Sequence, residues 1–92
     1  MSMQDTTVLT FIEDAAHGWL SVPRSHLNGL GIAGEITPYS YQNRNTIFLE
    51  EDLDMSIYLN ARREQGWSDV SIVTEYHESW IGRDRYPSYQ EI

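Results

Sequence analysis

Four carboxylates stand within five consecutive positions, Glu50, Glu51, Asp52 and Asp54, and no basic residue lies between Arg44 and Arg62 to balance them. Oxygen donors at this density suit hard cations such as Mg²⁺ and Ca²⁺, and metal-assisted hydrolysis draws on such groups. The spacing argues against that use. A calcium loop needs a glycine at its tight turn and a distal glutamate, and neither is present. Carboxylates in a helix's first turn are stabilised by its positive end by ~0.3–1 kcal/mol each, so capping and solvation account for them without a metal. His17, His26 and His77 are scattered, with no pair at the spacing that sets two imidazoles on one helical face. Ser40 sits between two tyrosines and lacks the flanking glycines of a nucleophile elbow. All six basic residues are arginine, and there is no cysteine. Lysine Schiff bases, phosphate-loop lysines and thiolate sites are therefore excluded. The residue types predict a protein that is not an enzyme and needs no metal or cofactor; a hydrolase using the Glu50, Glu51, Asp52 and Asp54 carboxylates is the competing reading.

The remaining chemistry is charge. Fourteen acids against six bases give a formal net charge of -8, and ten of the acids fall in the C-terminal half. Phosphate binding requires cations, so a chain this acidic is not expected to bind nucleic acid directly. A basic protein partner fits better, and a nucleic-acid-binding protein is a natural one, with the acidic surface acting as a nucleic-acid mimic that steers encounter. Affinity needs desolvated anchors as well. Trp80, Arg83, Arg85 and Tyr86 are of the residue types enriched at interface hot spots, and Tyr39 and Tyr41 form a second aromatic pair. With Glu50, Glu51, Asp52 and Asp54 they make up the expected partner-binding set. Homo-oligomers are compatible with the composition.

These groups must be positioned by a small fold. Ninety-two residues suit a single domain over 1–92, 40% hydrophobic with three Trp and six Tyr, enough for one core without a partner. Thr6 to Glu13 alternates and is rich in β-branched residues, which predicts a strand; Trp19 to Val22 predicts a second. Pro23 suits the first position of a short helix near 23–30, closed by Gly31. Ala33 to Glu35 reads as a loop. Ile36 to Gln42 and Thr46 to Leu49 read as a hairpin turned by Asn43-Arg44-Asn45. From Asp52 the period lengthens to that of a helix, about 52–65, stopped by Gly66. Val70 to His77 alternates as a final strand, followed by an irregular segment expected to fray after Tyr89.

The fold class so predicted is α+β: an antiparallel sheet of about four or five strands with the main helix packed on it. The expected core is Val8, Phe11, Trp19, Leu20, Leu27, Leu30, Ile47, Leu49, Leu53, Ile57, Ile72 and Tyr76. The N-terminal Met-Ser-Met-Gln-Asp has no basic start or apolar run, and no stretch is apolar enough to span a bilayer. A cytoplasmic, membrane-free location is the expectation.

Two resemblances bear on function. Trp19-Leu20-Ser21-Val22-Pro23-Arg24, through Leu27 to Leu30-Gly31-Ile32, resembles the strand, proline and short helix of AbrB-type transition-state regulators. That likeness implies DNA binding, but those hairpins are basic and here Arg24 alone is cationic. His17-Gly18-Trp19-Leu20, Val22-Pro23, Leu30-Gly31-Ile32, Tyr39-Ser40-Tyr41-Gln42 and Leu49-Glu50-Glu51-Asp52 with Asp54 are similar to small acidic proteins of bacterial plasmids and phages. The second likeness implies a mobile-element setting. In size, acidity and lack of lysine the chain also resembles anti-CRISPR and other anti-defence inhibitors, which implies an inhibitor of a defence or regulatory complex.

Overall fold

The computed structural model describes residues 7–78, 80 and 85–91. Its five strands are β1 (Thr7–Glu13), β2 (Gly18–Pro23), β3 (Tyr41–Asn43), β4 (Thr46–Glu50) and β5 (Val70–Tyr76), with helices α1 (Arg24–Leu30) and α2 (Asp54–Glu64) between them. They form one sheet in the order β3-β4-β2-β1-β5, so the α+β class holds. The sheet is mixed, however. β1 pairs antiparallel with β2, β2 with β4 and β4 with β3, whereas β5 runs parallel to β1. The cause is α2. A helix between β4 and β5 carries the chain back along the sheet, so β5 starts at the same end as β4 and must share its direction. β4 and β1 already point the same way, being separated by one antiparallel strand.

Local signals set the element ends. Gly31 takes φ 74° after α1, and the Ile32 N–H closes on Leu27 O at 3.0 Å; Gly66 takes φ 74° after α2, and Trp67 N–H closes on Arg62 O at 2.9 Å. Both are glycine-terminated helix ends of the same kind. Arg44 and Asn45 form the two-residue turn between β3 and β4, with Arg44 at φ 57°. The first five residues of the expected 36–42 strand are not strand: after a 3₁₀ turn at Ala33–Glu35 the chain turns again at Pro38 to Ser40, leaving only Tyr41–Asn43 on the ladder.

Alternation along the strands sorts side chains onto two faces. One face carries Leu9, Leu20, Val22, Ile47 and Leu49 beneath the helices, joined by Leu27, Leu30, Tyr58 and Ala61. Tyr89, the last residue before the expected fraying, belongs to this core as well: it is buried, donates its hydroxyl to Ala33 O at 2.7 Å and its N–H to Ser40 O at 2.8 Å. Arg24 fastens the same segment, donating to Gln90 O, Arg44 O and Gln42 Oε1. The opposite face carries Ile12, Trp19 and Phe48, covered by Trp80 and half-buried Tyr86.

Four residues of the expected core lie outside it. Ile72 and Tyr76 are exposed on the edge strand β5, Val8 is exposed on the face of β1 away from the helices, and Leu53 is exposed in the turn before α2. Phe11 and Ile57 are half-buried. The sheet-facing stripe of α2 instead includes two charged residues, Asp54 and Arg62. Arg62 donates to Tyr58 Oη at 3.1 Å and Ser68 O at 2.7 Å, and lies over the Tyr58 and Trp67 rings. His26 Nδ1 shares a hydrogen bond with the same Tyr58 oxygen, 2.8 Å away. Burial, and secondarily the Arg62 charge, holds His26 below its ordinary value of 6.5.

Candidate functional site: an acidic, aromatic groove

A groove of about 780 Å³ opens at the end of the sheet where β2 begins and β4 ends. The ladder builds its floor. Trp19 stands opposite Glu50, and Tyr41 opposite Phe48, on the face away from the helices. Trp80 packs on Trp19 at 4.5 Å between ring centroids with the planes tilted by 50°, and Tyr41 lies 6.3 Å from the same ring. Pocket walls of this size and aromatic character are typical of binding sites.

Two loops raise the rim. Between β1 and β2, Asp14 Oδ1 accepts the Ala16 and His17 N–H groups at 2.8 Å each. Those two bonds, led by the one from Ala16, hold the Asp14 carboxyl below its ordinary range. The turn sets His17 edge-on to Trp19 at 5.9 Å. Opposite, Glu50 to Leu53 lead into α2, with Glu51, Asp52 and Leu53 exposed. Tyr39, 77% exposed, stands at the mouth. Asp14, Glu50, Glu51 and Asp52 line this one groove, and among the described residues no arginine does.

The four clustered carboxylates thus separate into different tasks. Glu51 and Asp52 face solvent. Glu50 is half-buried and closes the turn that leads into α2, its Oε2 accepting Asp52 N–H at 2.7 Å and its Oε1 accepting Leu53 N–H at 3.1 Å. Asp54, expected on the partner-binding surface, is fully buried and points away from it. Its carboxylate accepts the Thr37 N–H at 3.0 Å, the Thr37 hydroxyl at 2.7 Å and the Ser40 hydroxyl at 2.6 Å. Ser40 Oγ in turn accepts Glu50 N–H at 2.9 Å. A buried carboxylate needs such donors to offset its lost hydration. Asp54 therefore ties the 37–40 turn and the end of β4 to α2 from within the core, and its carboxylate takes no part in the groove.

Of the other expected contact residues, Tyr39, Tyr41 and Trp80 meet at the groove, Trp80 largely buried as its floor. Tyr86 packs instead on Phe48, 5.0 Å between centroids. Arg85 is exposed and does not line the groove; Arg83 lies outside the described residues. Sequence reasoning missed Asp14, His17, Trp19 and Leu53. The Asp14-Ala15-Ala16-His17 turn carried a readable signal, an aspartate able to bond its own backbone two and three residues on. Arg24 of the AbrB-like stretch is buried, with all its bonds to other parts of the chain.

Among the described residues no group of three or more His, Asp or Glu side chains converges as metal ligands, and no helix is long and apolar enough to cross a membrane. Comparisons with protein-family models, curated proteins and solved structures return no match for this chain.

Proposed function

We propose that this protein is a non-enzymatic binding module that seats an arginine- or lysine-bearing segment of a basic protein in the acidic groove. One observation carries the reading: four carboxylates rim a floor of Trp19, Tyr41 and Trp80 in a single concavity. Aromatic faces attract cations, by ~0.5–1 kcal/mol at exposed sites and ~2 kcal/mol when desolvated. Carboxylates supply the charge-assisted hydrogen bonds that a guanidinium or ammonium needs once it leaves water. Exposed Tyr39 and Leu53 offer apolar contact to the residues flanking the inserted cation. A net charge of -8 speeds encounter with any basic partner and repels free nucleic acid. Proteins that bind nucleic acid present such cations, and the likeness to phage and plasmid proteins directs the search to host defence and regulatory complexes.

The test is titration of a fluorescein-labelled arginine-rich peptide, followed by pull-down from a bacterial host lysate, each across a salt series. Glu51→Gln with Asp52→Asn should weaken binding about tenfold, slow association and flatten the salt dependence, without change in melting temperature. Binding that ignores both salt and these changes, or no binding to peptide and lysate alike, sinks the proposal.

A further inference from the structure

We infer that β5 is the pairing edge of a two-fold symmetric dimer of this chain, independently of what the groove binds. The strand order ends on β5, and its ladder to β1 is phased by Thr7 N–H on Asp69 O and His77 N–H on Glu13 O. Odd-numbered residues therefore bond inward. Val70, Ile72, Thr74 and Tyr76 turn their N–H and C=O groups outward, and among the described residues no backbone bond outside the sheet ladder reaches them. Folded proteins usually blunt such an edge with lysine, proline, a bulge or a covering loop. β5 has no lysine or proline, and all seven residues pair in unbroken register with β1. It also exposes apolar groups on both faces, Ile72 at 40%, Val73 at 51% and Tyr76 at 59%, beside Val8 at 64% on β1.

A second copy is the occupant that fits, because β5 is complementary to itself in one antiparallel register. Centring the two-fold axis on Val73 sets Val70 opposite Tyr76 of the second copy and Ile72 opposite its Thr74, so every outward-facing residue bonds another. The same register places Ser71 opposite Glu75, and just beyond them Asp69 opposite His77, an acid against a base. Sliding the centre one way, to Ile72, would set Asp69 against Glu75, two like charges. Sliding it the other way, to Thr74, would set Glu78 against Val70. Charge and hydrophobic pairing thus select the Val73 centre. Each chain carries -8, so the dimer should tighten as salt rises. Groove binding to a cationic segment should do the reverse.

Sedimentation velocity from micromolar to several hundred micromolar, at low and high salt, tests the dimer. The chain has no cysteine, which allows a register test by single-cysteine cross-linking. Val73→Cys places two thiols in a non-hydrogen-bonded pair about 4.5 Å apart at Cα, within disulfide reach. Ser71→Cys leaves its two-fold mate roughly 13 Å away along the strand. The expected result is a concentration-dependent dimer favoured by salt. Val73→Lys should weaken it at least about tenfold while leaving the melting temperature unchanged in dilute solution, where both chains are monomeric, and Val73→Cys should cross-link far faster than Ser71→Cys. A monomer at every concentration, a dimer indifferent to Val73→Lys, or equal cross-linking of the two cysteine variants overturns the inference.

Discussion

Asp54 separates stability from binding. Asp54→Ala removes the acceptor for the Thr37 N–H, the Thr37 hydroxyl and the Ser40 hydroxyl. Hydrogen bonds to a charged group contribute ~1.5–3 kcal/mol each, but the effects are not additive, because Thr37 is only half-buried and its donors can turn to entering water. Ser40 is fully buried and has no such outlet. The loss should be about 3–4 kcal/mol, the upper range for single substitutions. For a domain of this size that corresponds to a fall in Tm of about 15–25 °C. Asp54→Asn keeps one acceptor oxygen but turns an amide donor toward two hydroxyls, so about 2 kcal/mol is expected. Urea unfolding followed by tryptophan fluorescence measures both, with the slope against denaturant checked for constancy. The same folded variants, titrated with the arginine-rich peptide below their unfolding midpoint, should bind as tightly as the parent. Glu51→Gln with Asp52→Asn should behave in the opposite way, stable but weak in binding. If Asp54→Ala costs less than about 1 kcal/mol, or if folded Asp54→Asn loses affinity as the Glu51 and Asp52 changes do, the division of labour among these carboxylates is wrong.

Three further outcomes follow from the packing. Burial holds the His26 pKa in the fold below its ordinary value of 6.5, so the unfolded chain binds the proton more readily; its stabilising contribution is fully present above pH 6.5 and is lost as pH falls from there through the folded value. Thermal melts from pH 8 to 5 should show this decline, and His26→Gln should flatten it. Gly18→Ala would drive a methyl group into the Phe11 ring and should destabilise by about 1–3 kcal/mol, measured by urea unfolding; no loss would mean that Phe11 is free to swing aside. Tyr89→Phe leaves the Ala33 carbonyl without its donor and should cost about 1–2 kcal/mol, with faster proteolysis at the C-terminal segment as an independent reading.

Elements whose signals are local were legible along the chain. Alternation marked β1, β2, β4 and β5, the longer period marked α2, and Gly31 and Gly66 marked helix ends, because each depends on neighbours a few residues away. Alternation cannot tell whether anything covers the faces it defines. Ile72 and Tyr76 look like core residues in sequence and are exposed, since β5 lies at the sheet edge. The direction of β5 followed from the path of α2 across the sheet, and no residue of β5 encodes it. Acidity around residue 50 was plain from composition, yet what each carboxylate does was decided by tertiary neighbours. Glu50 meets the amides of the turn that leads into α2; Asp54, four positions on, meets Thr37 and Ser40 from a turn that would otherwise have continued a strand. The groove itself joins Asp14, Trp19, Tyr41, Asp52 and Trp80 from separate parts of the chain. Sequence by itself determined the class of fold and the sign of the charge, because both are sums over local properties. Only the tertiary structure decided which charges face water and which aromatics they surround, because burial is set by contacts between residues far apart along the chain.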